Sequence, residues 1–452
     1  MNEIEIVSKL IDETIEAQND CFESSLSHRD WAGFRNISGY GQLNISRKMN
    51  DLVKTLSEKL YDKDVSLVRT WTRNDWFKFV DQTLMPMIAR CDPAENREKA
   101  CGELLRVLIA SLDEQKCGRP FSFIFGCFVL HEASSTPICF GKVLFSPRLL
   151  WLEDQLNSDR ISKPVYEKLK NVWQSDDKPS PVSLDPYNSA IVSSLEGTIG
   201  ACNYVCEVSV DGISGVSAES KAVMAMRFAL TGIALAWIMP SKALSNMPSV
   251  YDGVSRMQQW ASIKAGRIQP GSVRRIGGIG QPLIGTTWQE IETDFSDVFS
   301  GMTEVISYTL DASGDVARKD LMDALAHSVL WFHEACCEAL PMVAVTKFVA
   351  SMDALAVGSG GARGLINVVT ARLGVDEQDP IRPGGPSFKK VLTELYSQGR
   401  SRLLHGASDR LFHDWQSTRD HAEQFARHTL VHCLGWASRN PECKDPKAMT
   451  RP

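Results

Sequence analysis

The chain has 452 residues, 43% of them apolar and 23% charged, with a net charge of −6. That length exceeds what one hydrophobic core usually organises, so two or three domains are expected, and the composition excludes a disordered or fibrous protein. The negative balance excludes a protein that coats nucleic acid over its whole surface.

The opening Met1-Asn2-Glu3-Ile4-Glu5-Ile6 is acidic and lacks the apolar segment of a signal peptide. Helical patterns are predicted over 1–26, 46–62 and 93–116. In the last of these, Ala100, Leu104, Val107, Leu108 and Leu112 recur at helical spacing. Segments 121–130 and 138–145 are rich in aromatic and β-branched residues, and 132–137 between them reads as a turn, which predicts a hairpin. The proline-rich stretch 175–186 predicts a surface loop or a subdomain boundary. A strand is expected over 203–210 and a long buried helix over 217–239. The apolar run 228–240 within that helix is too short to span a bilayer and reads as core, so no membrane association is expected.

Residues 253–289 carry Arg256, Lys264, Arg267, Arg274 and Arg275 with no acid, together with Trp260 and Trp288. Cations interleaved with aromatics suit RNA phosphates and unstacked bases, whereas the glycines (Gly271, Gly277, Gly278, Gly280, Gly285) fit a solvated loop. Twelve cysteines are scattered without pairing logic. They include the adjacent Cys336 and Cys337, and Cys202-x3-Cys206 with no second pair to complete a zinc site. Without an export signal they read as reduced, mostly buried thiols of a cytoplasmic protein.

From residue 318 the pattern is helical. Leu321, Leu325, Val329, Phe332, Cys336 and Ala339 form one stripe, Pro341 breaks it, and 342–357 resumes it. Gly358-Ser359-Gly360-Gly361 lacks the Lys-Ser/Thr ending of a phosphate loop and reads as a helix connector. Helices over 362–373, 388–404 and 415–436 complete a bundle of about five. The expected architecture is mostly α: a smaller α+β region over 1–300, divisible near 175–186, and an all-α domain over 301–452. Charge is uneven as well, since 386–452 holds 11 Lys and Arg against 7 Asp and Glu.

The wording Leu395-Tyr396-Ser397-Gln398-Gly399-Arg400-Ser401-Arg402-Leu403-Leu404-His405-Gly406 places an arginine and a histidine five residues apart before a glycine. A permanent cation and an imidazole that titrates near neutrality are what a metal-free ribonuclease needs. On a straight α-helix the two diverge by about 140° with a rise of about 7.5 Å, so they do not converge on one small site. Either the helix ends at Gly406 and frees the histidine, or the two residues face a cleft shared with a second copy. Arg427 and His432 repeat the spacing, but inside a continuous helix. There His421, His428 and His432 share one edge, which fits a metal-chelating edge or a flank beside the apolar face of Ala422, Phe425 and Cys433. No carboxylate or cysteine completes that edge, and no metal or cofactor is expected.

The motif resembles the signature of the HEPN superfamily, most closely its Apea-like branch. Leu330-Trp331-Phe332-His333-Glu334-Ala335 looks like that family's first long helix. Ser351-Met352-Asp353-Ala354-Leu355 looks like its second, with Asp353 where many members have glutamate. The similarity covers roughly 318–440. It implies an all-α HEPN-like bundle and a homodimeric, metal-independent endoribonuclease cleaving RNA through the 2′-hydroxyl. In that reading Arg400 and His405 are catalytic, Ser401 and Asp353 supporting, and Arg402 binds RNA. A toxin or anti-phage role is implied too, with trigger and antitoxin unspecified. Two other readings stand beside it: a catalytically silent module for dimerisation or nucleotide binding, and an enzymatic N-terminal region with the C-terminal domain as its effector.

Overall fold

In a computed structural model the structure describes residues 1–20, 31–37, 41–91, 96–116, 121–130, 137–174, 184–213, 215–252, 257–264, 267–275, 287–357, 361–405 and 413–451. The chain is mostly helical, and it packs as two units. One comprises Met1–Phe121, Val210–Lys221 and Asp311–Asp315; the other comprises Ser122–Ser209, Ala222–Leu310 and Val316–Pro452.

The chain begins with α1 (Glu3–Asp20), β1 (Trp31–Ile37), β2 (Gly41–Ser46), α2 (Arg47–Lys63), α3 (Val65–Thr70), α4 (Arg73–Ile88) and α5 (Arg97–Lys116). The first expected helix holds over 3–20, with 21–26 outside the described residues; the last begins at Arg97, and the middle one runs one residue later. Ser46 and Thr72 begin α2 and α4 because their hydroxyls accept the Met49 and Asp75 amides, each at 3.1 Å. Apolar faces of α1, α2, α4 and α5 meet in a core that includes Leu10, Leu56, Leu84 and Leu108. Within it Trp76 stacks on Phe79 and meets Trp71 edge-on.

Next come β3 (Phe121–Cys127), β4 (Ile138–Phe140), β5 (Val143–Pro147), α6 (Arg148–Asn157), α7 (Lys163–Gln174), α8 (Pro186–Ile199) and β6 (Tyr204–Val210). The sheet order is β3-β6-β5-β4, which corrects the expected hairpin. The segment 138–145 turns back on itself through Gly141, whose φ is +60°, so β4 pairs with β5, and β3 lies beside β6. The turn expected over 132–137 lies outside the described residues except for Pro137, as does the proline-rich stretch except for its end.

Then follow α9 (Gly215–Ala234), α10 (Pro240–Leu244), β7 (Met257–Lys264) and β8 (Arg267–Arg275). The helix expected over 217–239 ends five residues early, and Pro240 opens a separate short helix. In place of a loop, β7 and β8 pair antiparallel, with 265–266 outside the described residues. Four of the glycines noted there, Gly277 to Gly285, lie outside the described residues. Among the described residues no helix is long and apolar enough to cross a membrane.

The remainder is α11 (Trp288–Asp294), α12 (Ser296–Thr309), α13 (Lys319–Cys337), α14 (Pro341–Leu355), α15 (Gly361–Leu373), α16 (Phe388–Tyr396), a π turn (Ser397–Ser401), α17 (Arg402–Leu404) and α18 (Gln416–Arg439). The stripe from Leu321 to Cys336 is buried, and Ala339 is exposed. Pro341 opens α14 at the first turn, where its missing N–H costs nothing. Helices α13 and α14 lock together through Phe332 against Phe348 at 5.5 Å and through the buried Ser328 and Ser351 hydroxyls, 3.0 Å apart. Helix α18 packs on α12, α14 and α15. Gly358, Ser359 and Gly360 fall outside the described residues.

Candidate functional site

The segment expected as one helix over 388–404 is helical throughout but widens into a π turn at Ser397–Ser401, where the Arg402 amide reaches back five residues to the Ser397 carbonyl. Helix α14 shapes this turn. A Cβ on Gly399 would lie 2.5 Å from Val345 Cγ1, so only glycine allows the close approach. Beside it, Thr346 Oγ1 donates to the Gly399 carbonyl at 2.7 Å. A side chain entering the ladder in this way stabilises a local widening, and π turns recur at functional sites.

The turn presents Arg400 toward α14. Its Nη2 lies 3.0 Å from Asp353 Oδ2, its Nη1 donates to the Tyr396 hydroxyl at 3.1 Å, and its guanidinium sits 5.5 Å from the centre of the Tyr396 ring. Its Nε is buried without a partner among the described residues. The group is therefore oriented, with one donor unused. Arg400 and Asp353 line an open cavity of about 520 Å³ with His327, Trp331, Lys347 and Leu404. Lys347 is itself paired with Glu338 at 2.9 Å.

His405 ends the short α17 and is exposed; its amide bonds the Ser401 carbonyl at 3.1 Å, and it does not line the Arg400 cavity. Ser401 is half-buried in the π turn, and Arg402 is exposed. Gly406 lies outside the described residues. Within one chain, then, Arg400 and Asp353 meet and His405 stands apart from them. Tyr396 was within reach of sequence reasoning as the residue one helical turn before Arg400; Thr346, Lys347 and Trp331 carried no local signal.

The repeated Arg-x4-His spacing has a structural use. Arg427 Nε donates to the Leu235 carbonyl at 3.0 Å, just past the end of α9. Burial, reinforced by nearby positive charge, pushes His428 and His432 below the usual histidine range. Among the described residues no three His, Cys, Asp or Glu side chains gather so as to hold a metal ion. The ten described cysteines are free thiols.

A larger cavity of about 620 Å³ lies over His333 and Cys337. Thr231 Oγ1 gives its proton to the Arg227 carbonyl at 2.9 Å, so it accepts from His333 Nδ1–H at 3.0 Å. That fixes the tautomer and turns Nε2 toward Cys337 Sγ, 3.7 Å away. Burial pushes His333 down to about 4, and desolvation beside the Glu334 and Asp252 carboxylates pushes the thiol of Cys337 up although part of that residue is exposed, so the two rest as a neutral imidazole and a protonated thiol. An activated cysteine needs the opposite shifts. Other polar groups here are paired internally as well: Arg227 with Asp252, and Glu423 with the Ser241 amide and hydroxyl, both at 2.7 Å.

Comparisons with protein-family models, with curated proteins and with solved structures find no match.

Proposed function

We propose that the chain is a metal-independent endoribonuclease whose site is completed by a second copy, with an all-α C-terminal domain of the HEPN type. The single observation that carries this reading is Arg400. Its guanidinium is pre-oriented by Asp353 and Tyr396 on a glycine-dependent π turn, at an open cavity, five residues before an exposed histidine. The resemblance of that wording to the HEPN signature supplies the reaction class.

In this reading the 2′-oxygen attacks the adjacent phosphorus, the P–O5′ bond breaks, and a 2′,3′-cyclic phosphate and a 5′-hydroxyl result. His405 moves the protons: one leaves the 2′-hydroxyl and one reaches the departing 5′-oxygen. Arg400 holds the phosphate and balances its developing charge. Ser401 and Asp353 orient the arginine, and Arg402 binds a neighbouring phosphate. A second copy brings its own Arg400 and His405 to the cleft, and the exposed Trp331, Leu340 and Leu404 are the apolar surface for that meeting. Residues 1–300 serve as the controlling region of a cytoplasmic toxin or anti-phage effector.

A second reading is a catalytically silent dimerisation or nucleotide-binding module. The pairing of Arg400 with Asp353 in a single chain favours it, because a paired guanidinium is less available to phosphate. Induced expression of the wild type beside His405→Ala separates the two. A nuclease arrests growth and fragments RNA only as wild type; equal behaviour of both proteins supports the silent module.

A further inference from the structure

On the other side of the motif helix lies a slot of about 390 Å³, within the size range of small-ligand pockets. One wall is the α16 stripe of Val391, Glu394 and Leu395, continued by Gln398 in the π turn. The facing wall is Trp415 with Thr418 and His421, one turn apart on α18, and His413 stands ahead of them. Phe388 against Phe425 at 5.8 Å fixes the two helices beneath it. Arg382 closes one end from a tight turn held by Gly385 N to Arg382 O at 2.8 Å and Ile381 N to Pro386 O at 3.0 Å.

Leu395 and Trp415 give the slot its apolar lining; both are buried, and the Trp415 ring meets His413 edge-on at 6.3 Å. Most of the rest of the lining is polar. Among the described residues the side chains of Arg382, Gln398 and His421 make no hydrogen bond or ion pair. This sets the slot apart from the His333 cavity, where Arg227 pairs with Asp252, His333 with Thr231, and Glu423 with Ser241. An indole ring in the lining takes a heterocycle by stacking; an amide and a carboxylate at the edge read donors and acceptors; a cation at one end takes a phosphate. Gln398 and Arg400 belong to one π turn but line cavities on opposite sides of it, so a strand that crosses the turn reaches both the slot and the phosphate that Arg400 would hold.

We infer that this slot seats one unstacked base of the RNA strand across the π turn from the scissile phosphate, with Gln398 and Glu394 reading its edge and Arg382 binding its phosphate. The inference rests on the ribonuclease reading for its place in the reaction, but not for its binding chemistry. The full chain is titrated calorimetrically with AMP, CMP, GMP and UMP, and RNA cleavage is followed in parallel.

At least one mononucleotide binds, and Arg382→Ala and Gln398→Ala each weaken it about tenfold or more, as expected for a lost charge-assisted or edge contact, whereas His405→Ala leaves it unchanged. In cleavage, Gln398→Ala raises KM and relaxes the base preference at the cut more than it lowers kcat. Absence of mononucleotide binding at millimolar concentration, or binding and base preference that survive both substitutions, overturns the slot even if RNA is cleaved. Mononucleotide binding that depends on Arg382 and Gln398 in a protein that never cleaves RNA keeps the slot as a nucleotide site and removes the ribonuclease reading.

Discussion

Arg400 meets Asp353 and Tyr396 through separate guanidinium nitrogens, a geometry that a lysine ammonium cannot reproduce. Arg400→Lys should therefore lower RNA cleavage tenfold or more while leaving the melting temperature close to wild type, which paired activity and melting measurements check. His333 makes a different kind of prediction. Its folded pKa of about 4 lies below the unfolded value, so the unfolded chain binds the extra proton as pH falls from neutrality toward 4. Stability present above pH 6.5 is lost in that window, by about 2 kcal/mol from this group between pH 7.5 and 5. Urea unfolding at the two pH values should show the loss, and His333→Gln should flatten it. At this scale the sequence was informative about identity more than partnership. Arg400, His405 and Asp353 could be picked out from wording, and the i, i+4 place of Tyr396 was visible. That His333 would pair with Thr231, 102 residues away, depends on tertiary packing that no local pattern encodes.

Helices α13, α14, α15, α16 and α18 were legible because each buries one stripe of a 3.6-residue period. The π turn was not, because it is imposed from outside by Val345 and Thr346 of α14. The 140° divergence assumed for Arg400 and His405 holds for an unbroken α-helix and not across this wider turn. Gly399→Ala should cost about 1–3 kcal/mol through overpacking against Val345, and Gly399→Ala with Val345→Ala should recover part of that loss, as thermal unfolding would read out. Strand pairing also escaped the sequence. The stretches 121–130 and 138–145 are both strand-like, but which edges meet is set by β5 and β6, and a short run such as Ile138–Phe140 has too few residues to declare its partner. Helix α4 hid for a related reason: Pro86 sits inside it, and Trp76, Phe79, Val80 and Leu84 are interleaved with charges over a short span.

The whole molecule carries its candidate chemistry on one helical region near the C-terminus, with Trp331 42% and Leu404 64% exposed around it. If these residues form the contact between copies, light scattering at micromolar concentration gives a dimer, and Leu404→Glu shifts it to monomer and removes cleavage; a wild-type monomer that keeps full activity would rule out the shared site. His432→Ala, on the helix where Arg427 holds the Leu235 carbonyl, should leave cleavage largely intact. The division of labour between an N-terminal controlling region and a C-terminal effector was suggested by the change of sequence character near residue 300, and removal of RNA cleavage by C-terminal substitutions alone would accord with it. The most direct measurement is cleavage of a labelled RNA by the purified chain in EDTA, with end-group analysis, for wild type and His405→Ala. Wild type should leave products ending in a 2′,3′-cyclic phosphate and a 5′-hydroxyl, and the variant should lose roughly 10²-fold or more; undiminished cleavage by His405→Ala, or cleavage that EDTA abolishes, would refute the metal-independent His405 site.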